Sequence, residues 1–145
     1  GDVAKRELAA IAELLAPDFW EVEQLIRGLS FHEGPGNALL FEMPSENVNE
    51  LFMALGEKGL ASEAVARLVA KEVRHYINSG APVGEHLADQ LLLPFALAGS
   101  GEFVTSTRSS HLETNIGVIE KFLPVMIRVS EDGNAFRVEV FSTAE

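Results

Sequence analysis

The sequence contains no cysteine. That absence excludes disulfides, thiol catalysis and thiolate metal sites together, and it suits a reducing compartment. Basic residues are scarce: 11 Lys and Arg stand against 22 Asp and Glu, a formal net charge of −11. Such a field repels phosphate-rich surfaces on average, whether nucleic acid or membrane. The argument concerns the mean field only. Local groups such as Lys71, Arg74 and His75, or Arg108 with Lys121 and Arg128, can still meet a phosphate. Long apolar runs are missing as well. The stretch Leu91 to Ala98 is far shorter than the ~20 residues a spanning helix needs. Lys5, Arg6, Glu7 and Glu13 interrupt the opening residues where a signal peptide needs an apolar core. A cytoplasmic protein with no membrane partner is expected.

What is present describes a packed globular chain: 47% of residues are apolar and 23% charged. Its 145 residues suffice for one ordinary domain or two very small ones. Leu8, Ile11, Ala12 and Leu15 fall at helical spacing, so a first helix is expected from Val3 to Leu15, stopped by Pro17. The next segment is ambiguous. Asp18 and Glu21 have capping-box spacing, yet Trp20, Val22 and Ile26 also fit a strand. Gly34-Pro35-Gly36-Asn37 marks a turn. Ala38 to Met43 reads as a buried strand, with Val48 to Leu55 returning antiparallel. After the Gly56–Gly59 loop a helix is expected from Ser62, as N-cap, through Ile77. Asn78-Ser79-Gly80 and Pro82 end it and mark a domain boundary. A helix from Glu85 carries Leu87, Leu91 and Phe95, with Pro94 inside it, and a short strand covers Glu102 to Thr105. A helix from His111 to Leu123 and two strands joined around Asp132-Gly133 complete the chain. That order predicts helices on one face of a small sheet, an α+β arrangement.

Chemistry concentrates at Ser109-Ser110-His111-Leu112-Glu113-Thr114-Asn115. Ser110 and Glu113 have the spacing of a capping box, which makes Ser110 the N-cap and His111 the first helical residue. Free N–H groups and the helix dipole there suit a phosphate, and the same field favours a neutral imidazole able to act as a nucleophile. The residues alone leave open a plain surface histidine beside a capped helix. His86, Asp89 and Gln90 lie at i, i+3 and i+4, a face able to hold a base or sugar, or simply a solvated one. Metal binding has little support: the four histidines form no H-x-x-x-H pair. Neither glycine cluster joins a strand to a helix at phosphate-loop spacing.

The ordered motifs carry a resemblance. Gly34-Pro35-Gly36-Asn37, Gly56-Glu57-Lys58-Gly59, the run from Gly84 through His86-Leu87-Ala88-Asp89-Gln90 to Pro94, and Ser110-His111-Leu112-Glu113-Thr114-Asn115-Ile116 together resemble the C-terminal portion of RNA 3'-terminal phosphate cyclases. Phe122-Leu123-Pro124-Val125 resembles the family's closing strand. The resemblance implies most of a small α/β insert domain over residues 1–80 and one sheet-and-two-helix repeat of the cyclase main body over 81–145. It implies strands at Trp20 to Ile26 and Val48 to Leu55. It also implies ATP-dependent conversion of an RNA 3'-phosphate to a 2',3'-cyclic phosphate through a histidine–AMP intermediate. His111 takes the place of the catalytic histidine. His86, Leu87, Ala88, Asp89 and Gln90 take that of the adenylate-contacting stretch, with His86 where relatives have tyrosine. The partners implied are ATP and an RNA with a 3'-phosphate end. A divalent cation, Mg or Mn, is implied too, with ligands in a preceding region that this chain lacks. The chain thus resembles a fragment, not expected to turn over alone. The alternative within the resemblance is a non-catalytic, cyclase-like scaffold in ribosome assembly. Those relatives lack the histidine.

Overall fold

The computed structural model describes residues 2–19, 21–30, 32 and 36–144. The chain divides into two compact units, Gly1–Pro44 with Leu51–Arg74, and Ser45–Glu50 with His75–Glu145. Both are mixed α+β.

In the first unit, helix α1 (Asp2–Leu15) buries Glu7, Ile11 and Leu15, one stripe at helical spacing, and packs on strand β1 (Asn37–Pro44). Glu7 is a buried carboxylate whose two oxygens accept from Asn37 Nδ2 at 2.8 and 2.7 Å, tying the helix to the start of the strand. β1 was expected to be buried throughout. It alternates instead: Leu39 and Phe41 are buried while Leu40 is half exposed. Strand β2 (Asn49–Gly56) pairs with it antiparallel, and these two strands form the whole of their sheet among the described residues. One face is therefore covered and the other is not, which produces the alternation. Helix α2 (Ser62–Ser79) starts from the carbonyl of Ala61, which accepts from Ala64 and Val65. The backbone cap thus lies one residue before the expected Ser62. Gly80 ends the helix at φ +67, a left-handed turn natural to glycine.

The strand expected over Trp20 to Ile26 is corrected. Trp20 lies outside the described residues, and residues 21–30 take neither strand nor helix. The apolar pattern is there, but a strand exists only by pairing its backbone, and no sheet of the described residues includes this segment. Of the first glycine cluster, Gly34 and Pro35 lie outside the described residues.

The second unit holds helix α3 (Glu85–Ala98), strand β3 (Ser100–Thr105), helix α4 (Ser110–Phe122) and strands β4 (Val125–Asp132) and β5 (Ala135–Ser142). The sheet order is β3-β5-β4, antiparallel throughout, with Phe103 opposite Val138 and Ile127 opposite Val140. Those residues face inward against α3 and α4 in a single apolar cluster, so both helices cover one face, as the element order requires. The stripe buried by α3 is Ala88, Leu92 and Ala96. Leu87, Leu91 and Phe95, the residues expected to carry the packing, flank that stripe partly buried. The small alanines let the helix approach closely, and the larger side chains close the sides. Gly99 at φ +73 caps α3, and Gly133 at φ +63 lies in the β4–β5 turn.

Candidate functional site

Short-range backbone bonds bring the starts of α3 and α4 to one end of the sheet. Val83 bridges Thr105 in parallel, its N–H donates to Val104 O at 3.2 Å, and Ser106 N–H donates back to Val83 O at 2.9 Å. The residue that opens α3 is thereby joined to the end of β3, and only 106–109 separate β3 from α4. Gly84 follows as the α3 N-cap and has no side chain to cap with. Glu50, 5% exposed, takes over the anionic role: its Oε1 accepts the Gly84 N–H at 2.6 Å. A carboxylate at that helix end is favoured by the dipole.

The α4 start corrects the expected cap. Ser109, not Ser110, is the N-cap: it is extended at φ −78 and ψ 160, and its Oγ accepts from Leu112 N at 3.0 Å. Ser109 is buried while Ser110 is exposed, so the buried hydroxyl is the one in reach of the unpaired amides. Ser110 is the first helical residue and His111 the second. The S-x-x-E box is not formed. Glu113 instead binds Arg108 in an ion pair, and that bond raises the guanidinium pKa further above its already high value. The cation closest in sequence to His111 is thus already paired. Arg128, grouped with Arg108 by sequence, lies over the Phe141 ring at 5.3 Å.

His111 is exposed on this first turn. His86 and Gln90 are also exposed, and Leu87 and Ala88 point toward the core. Asp89 is half-buried, and its Oδ1 is closed off from solvent with no hydrogen-bond partner in the protein. Burial pushes its carboxyl pKa above the usual range. The charges of His111 and His86 pull against that, and Glu85 adds to it. His111 and His86 are therefore both within electrostatic reach of Asp89. The two motifs, distant in sequence, meet around one carboxyl.

Sequence reasoning missed one contributor. His75, grouped by its neighbours with Lys71 and Arg74, faces the loop that leads to His111. Its Nε2 lies 3.2 Å from Ser106 O and 2.9 Å from Thr107 Oγ1. These contacts tie the imidazole to the loop. No spacing rule reveals such a contact. Arg74 is occupied elsewhere, by the Leu14 carbonyl and by Asp18.

The family model of the RNA 3'-terminal phosphate cyclase matches residues 3–129, most of the chain. The chain belongs to the RNA 3'-terminal phosphate cyclase family. The cyclase match opens in α1, ends inside β4 and includes every residue described around His111. Family membership points to RNA as the substrate class. No described helix is long and apolar enough to cross a membrane, and no group of three or more His, Asp or Glu side chains is placed to hold a metal among the described residues.

Proposed function

We propose that this chain carries the nucleotidyl-transfer end of an RNA 3'-phosphate cyclase that uses ATP as substrate, with His111 as the nucleophile. An unprotonated ring nitrogen of His111 attacks the α-phosphorus of ATP. The bond to the bridging oxygen breaks and pyrophosphate leaves, giving histidine–AMP. An oxygen of the RNA 3'-phosphate then bonds to the AMP phosphorus and displaces the histidine; the adjacent 2'-hydroxyl attacks the phosphorus of the RNA 3'-phosphate, loses its proton and expels AMP. The product is a 2',3'-cyclic phosphate.

The observation that carries this reading is the approach of the two family motifs at one end of the sheet, with His111 exposed on the first turn of α4 and Asp89 within its electrostatic reach. Backbone amides at a helix start stabilise phosphate charge without a basic side chain, which suits a chain this acidic. Asp89 contributes a carboxyl at this end of α3, its Oδ1 enclosed by the protein and without a protein partner. His86 and Gln90 offer a ring and an amide next to it, and Leu87 and Ala88 anchor the stretch to the core. A divalent cation accompanying the triphosphate would be held by residues other than these. In this reading residues 1–80 belong to the insert-type domain and 81–145 to the last repeat of the body, in a cytoplasmic enzyme.

The test is ATP labelled at the α-phosphate, incubated with the full-length polypeptide containing these residues, wild type against His111→Ala. The expected result is acid-labile label on the wild type and none on the variant. Equal label on both, or none on either, removes the reading.

A further inference from the structure

Helix α2 changes unit near its end: His75–Ser79 belong with the second unit. That short stretch has a fixed base. The Tyr76 side chain is buried, and its hydroxyl donates to Pro82 O at 3.0 Å, just before the start of α3. His75, beside it, turns its ring to the loop between β3 and α4. Its Nε2 lies 3.2 Å from Ser106 O and 2.9 Å from Thr107 Oγ1, groups 31 and 32 residues further along the chain. Ser106 is buried and is held from a second side, where its N–H donates to Val83 O at 2.9 Å. One short loop thus meets α2 through a side chain and the start of α3 through its backbone. The loop consists of residues 106–109, and His111 follows as the second residue of α4. A first helical turn has no preceding turn to hold it, so its placement is set by its cap and by the chain that enters it. Ser109 supplies the cap, and Leu112 is the first fully buried anchor. Among the described residues, His75 supplies the side-chain hydrogen-bond contacts that reach this loop from outside the loop and α4.

We propose that His75 is a positioning residue for His111: through Ser106 and Thr107 it fixes the loop that sets where the first turn of α4 stands. The proposal rests on the reading of His111 as the nucleophile that attacks ATP. Attack on phosphorus tolerates little error in distance or angle, so a loosened first turn costs rate. It does not cost the fold, because Leu112, Ile116 and Ile119 seat α4 on the sheet without any help from His75. Nor does it cost the hold on the nucleotide, since His86 to Gln90 stand on α3, which the core seats through Ala88, Leu92 and Ala96. Loss of the His75 contacts therefore acts on the chemical step alone. The net worth of one such contact corresponds to a slowing of about three- to tenfold.

The experiment measures the rate constant for transfer of label from α-labelled ATP to the full-length polypeptide containing these residues, over a range of ATP concentrations. A misfolded fraction lowers the final amount of label, whereas a misplaced nucleophile lowers the rate constant, so the two are read apart. His75→Leu should slow labelling at saturating ATP by about three- to tenfold, with the half-saturating ATP concentration within about twofold of wild type. His75→Gln, whose amide reaches the position of Nε2, should restore most of the rate. Thr107→Val should slow labelling less than His75→Leu, and adding it to His75→Leu should slow the reaction no further, because the contact is already gone. A wild-type rate in His75→Leu, a Gln variant as slow as Leu, a double variant with multiplied losses, or a change confined to half-saturation would each overturn the proposal. In all of those outcomes the wild type is labelled and His111→Ala is not, so the nucleophile reading stands. Absence of label on the wild type, or equal label on His111→Ala, removes that reading and the role of His75 with it.

Discussion

Asp89 is the residue where stability and proposed function pull in opposite directions. Burial raises its carboxyl pKa, so the fold favours the protonated form. That contribution is complete below the ordinary value of 3.8 and is lost as pH rises through the raised one. Asp89→Asn, neutral at every pH, should therefore be more stable than wild type at pH 7, with the difference closing as pH falls toward 3.8. Thermal melts across that range check it, and a constant difference would argue against it. The same variant loses an anionic acceptor, so labelling by α-labelled ATP should fall even though the fold is firmer. Gly84 sets a purely steric test. A Cβ there would stand 2.6 Å from Glu50 Oε2, with the carboxylate already bonded to the Gly84 N–H. Gly84→Ala should destabilise by about 1–3 kcal/mol as that buried group loses its partner. Glu50→Gln keeps the oxygen and should cost less, and urea unfolding of the two variants decides between them.

At the scale of elements, the α4 start shows what a pattern can and cannot choose. Three consecutive positions, Arg108, Ser109 and Ser110, precede His111, and the S-x-x-E spacing selects the wrong serine. The structure selects Ser109 because burial and extended backbone put its hydroxyl on the Leu112 amide. Ser109→Ala should cost about 1 kcal/mol, whereas Ser110→Ala should be nearly silent in denaturant midpoint. The reverse order would restore the capping box. The helices and the β4–β5 hairpin were legible because their signals are local: periodicity, Gly99, Gly133 and Pro124. The packing stripe of α3 was misread because leucines draw attention, while Ala88 and Ala96 decide how close the helix comes. The meeting of His86 and Asp89 with His111 followed from no periodicity. It rests on the Val83–Thr105 bridge, a contact between residues far apart in sequence. Only the family resemblance joined those motifs in advance, and it did so without geometry.

For the whole molecule, the contrast between the two sheets predicts an order of stability. The β3-β5-β4 sheet is closed on one face by two helices through a shared apolar cluster that includes Leu92, Leu112 and Val138, each fully buried. The β1–β2 sheet has two strands, and its exposed positions carry Leu40, Leu51, Met53 and Leu55. Sequence alone could not separate them, since both units offer alternating apolar strands and amphipathic helices. What differs is how many neighbours each strand finds, which is decided by pairings that no local signal encodes. The strand assigned to Trp20–Ile26 failed for that reason: its pattern was right, and residues 21–30 found no ladder to join. Opening free energy follows buried apolar area and shared backbone bonds. Native-state hydrogen exchange should therefore find the slowest amides on β5, at Val138 and Val140, which have a neighbouring strand on both sides. The amides of β1 should exchange faster, through local opening, under the same conditions. Equal protection at Leu39 or Phe41 and at Val138 would show that the two-stranded sheet is held by more than the described residues supply.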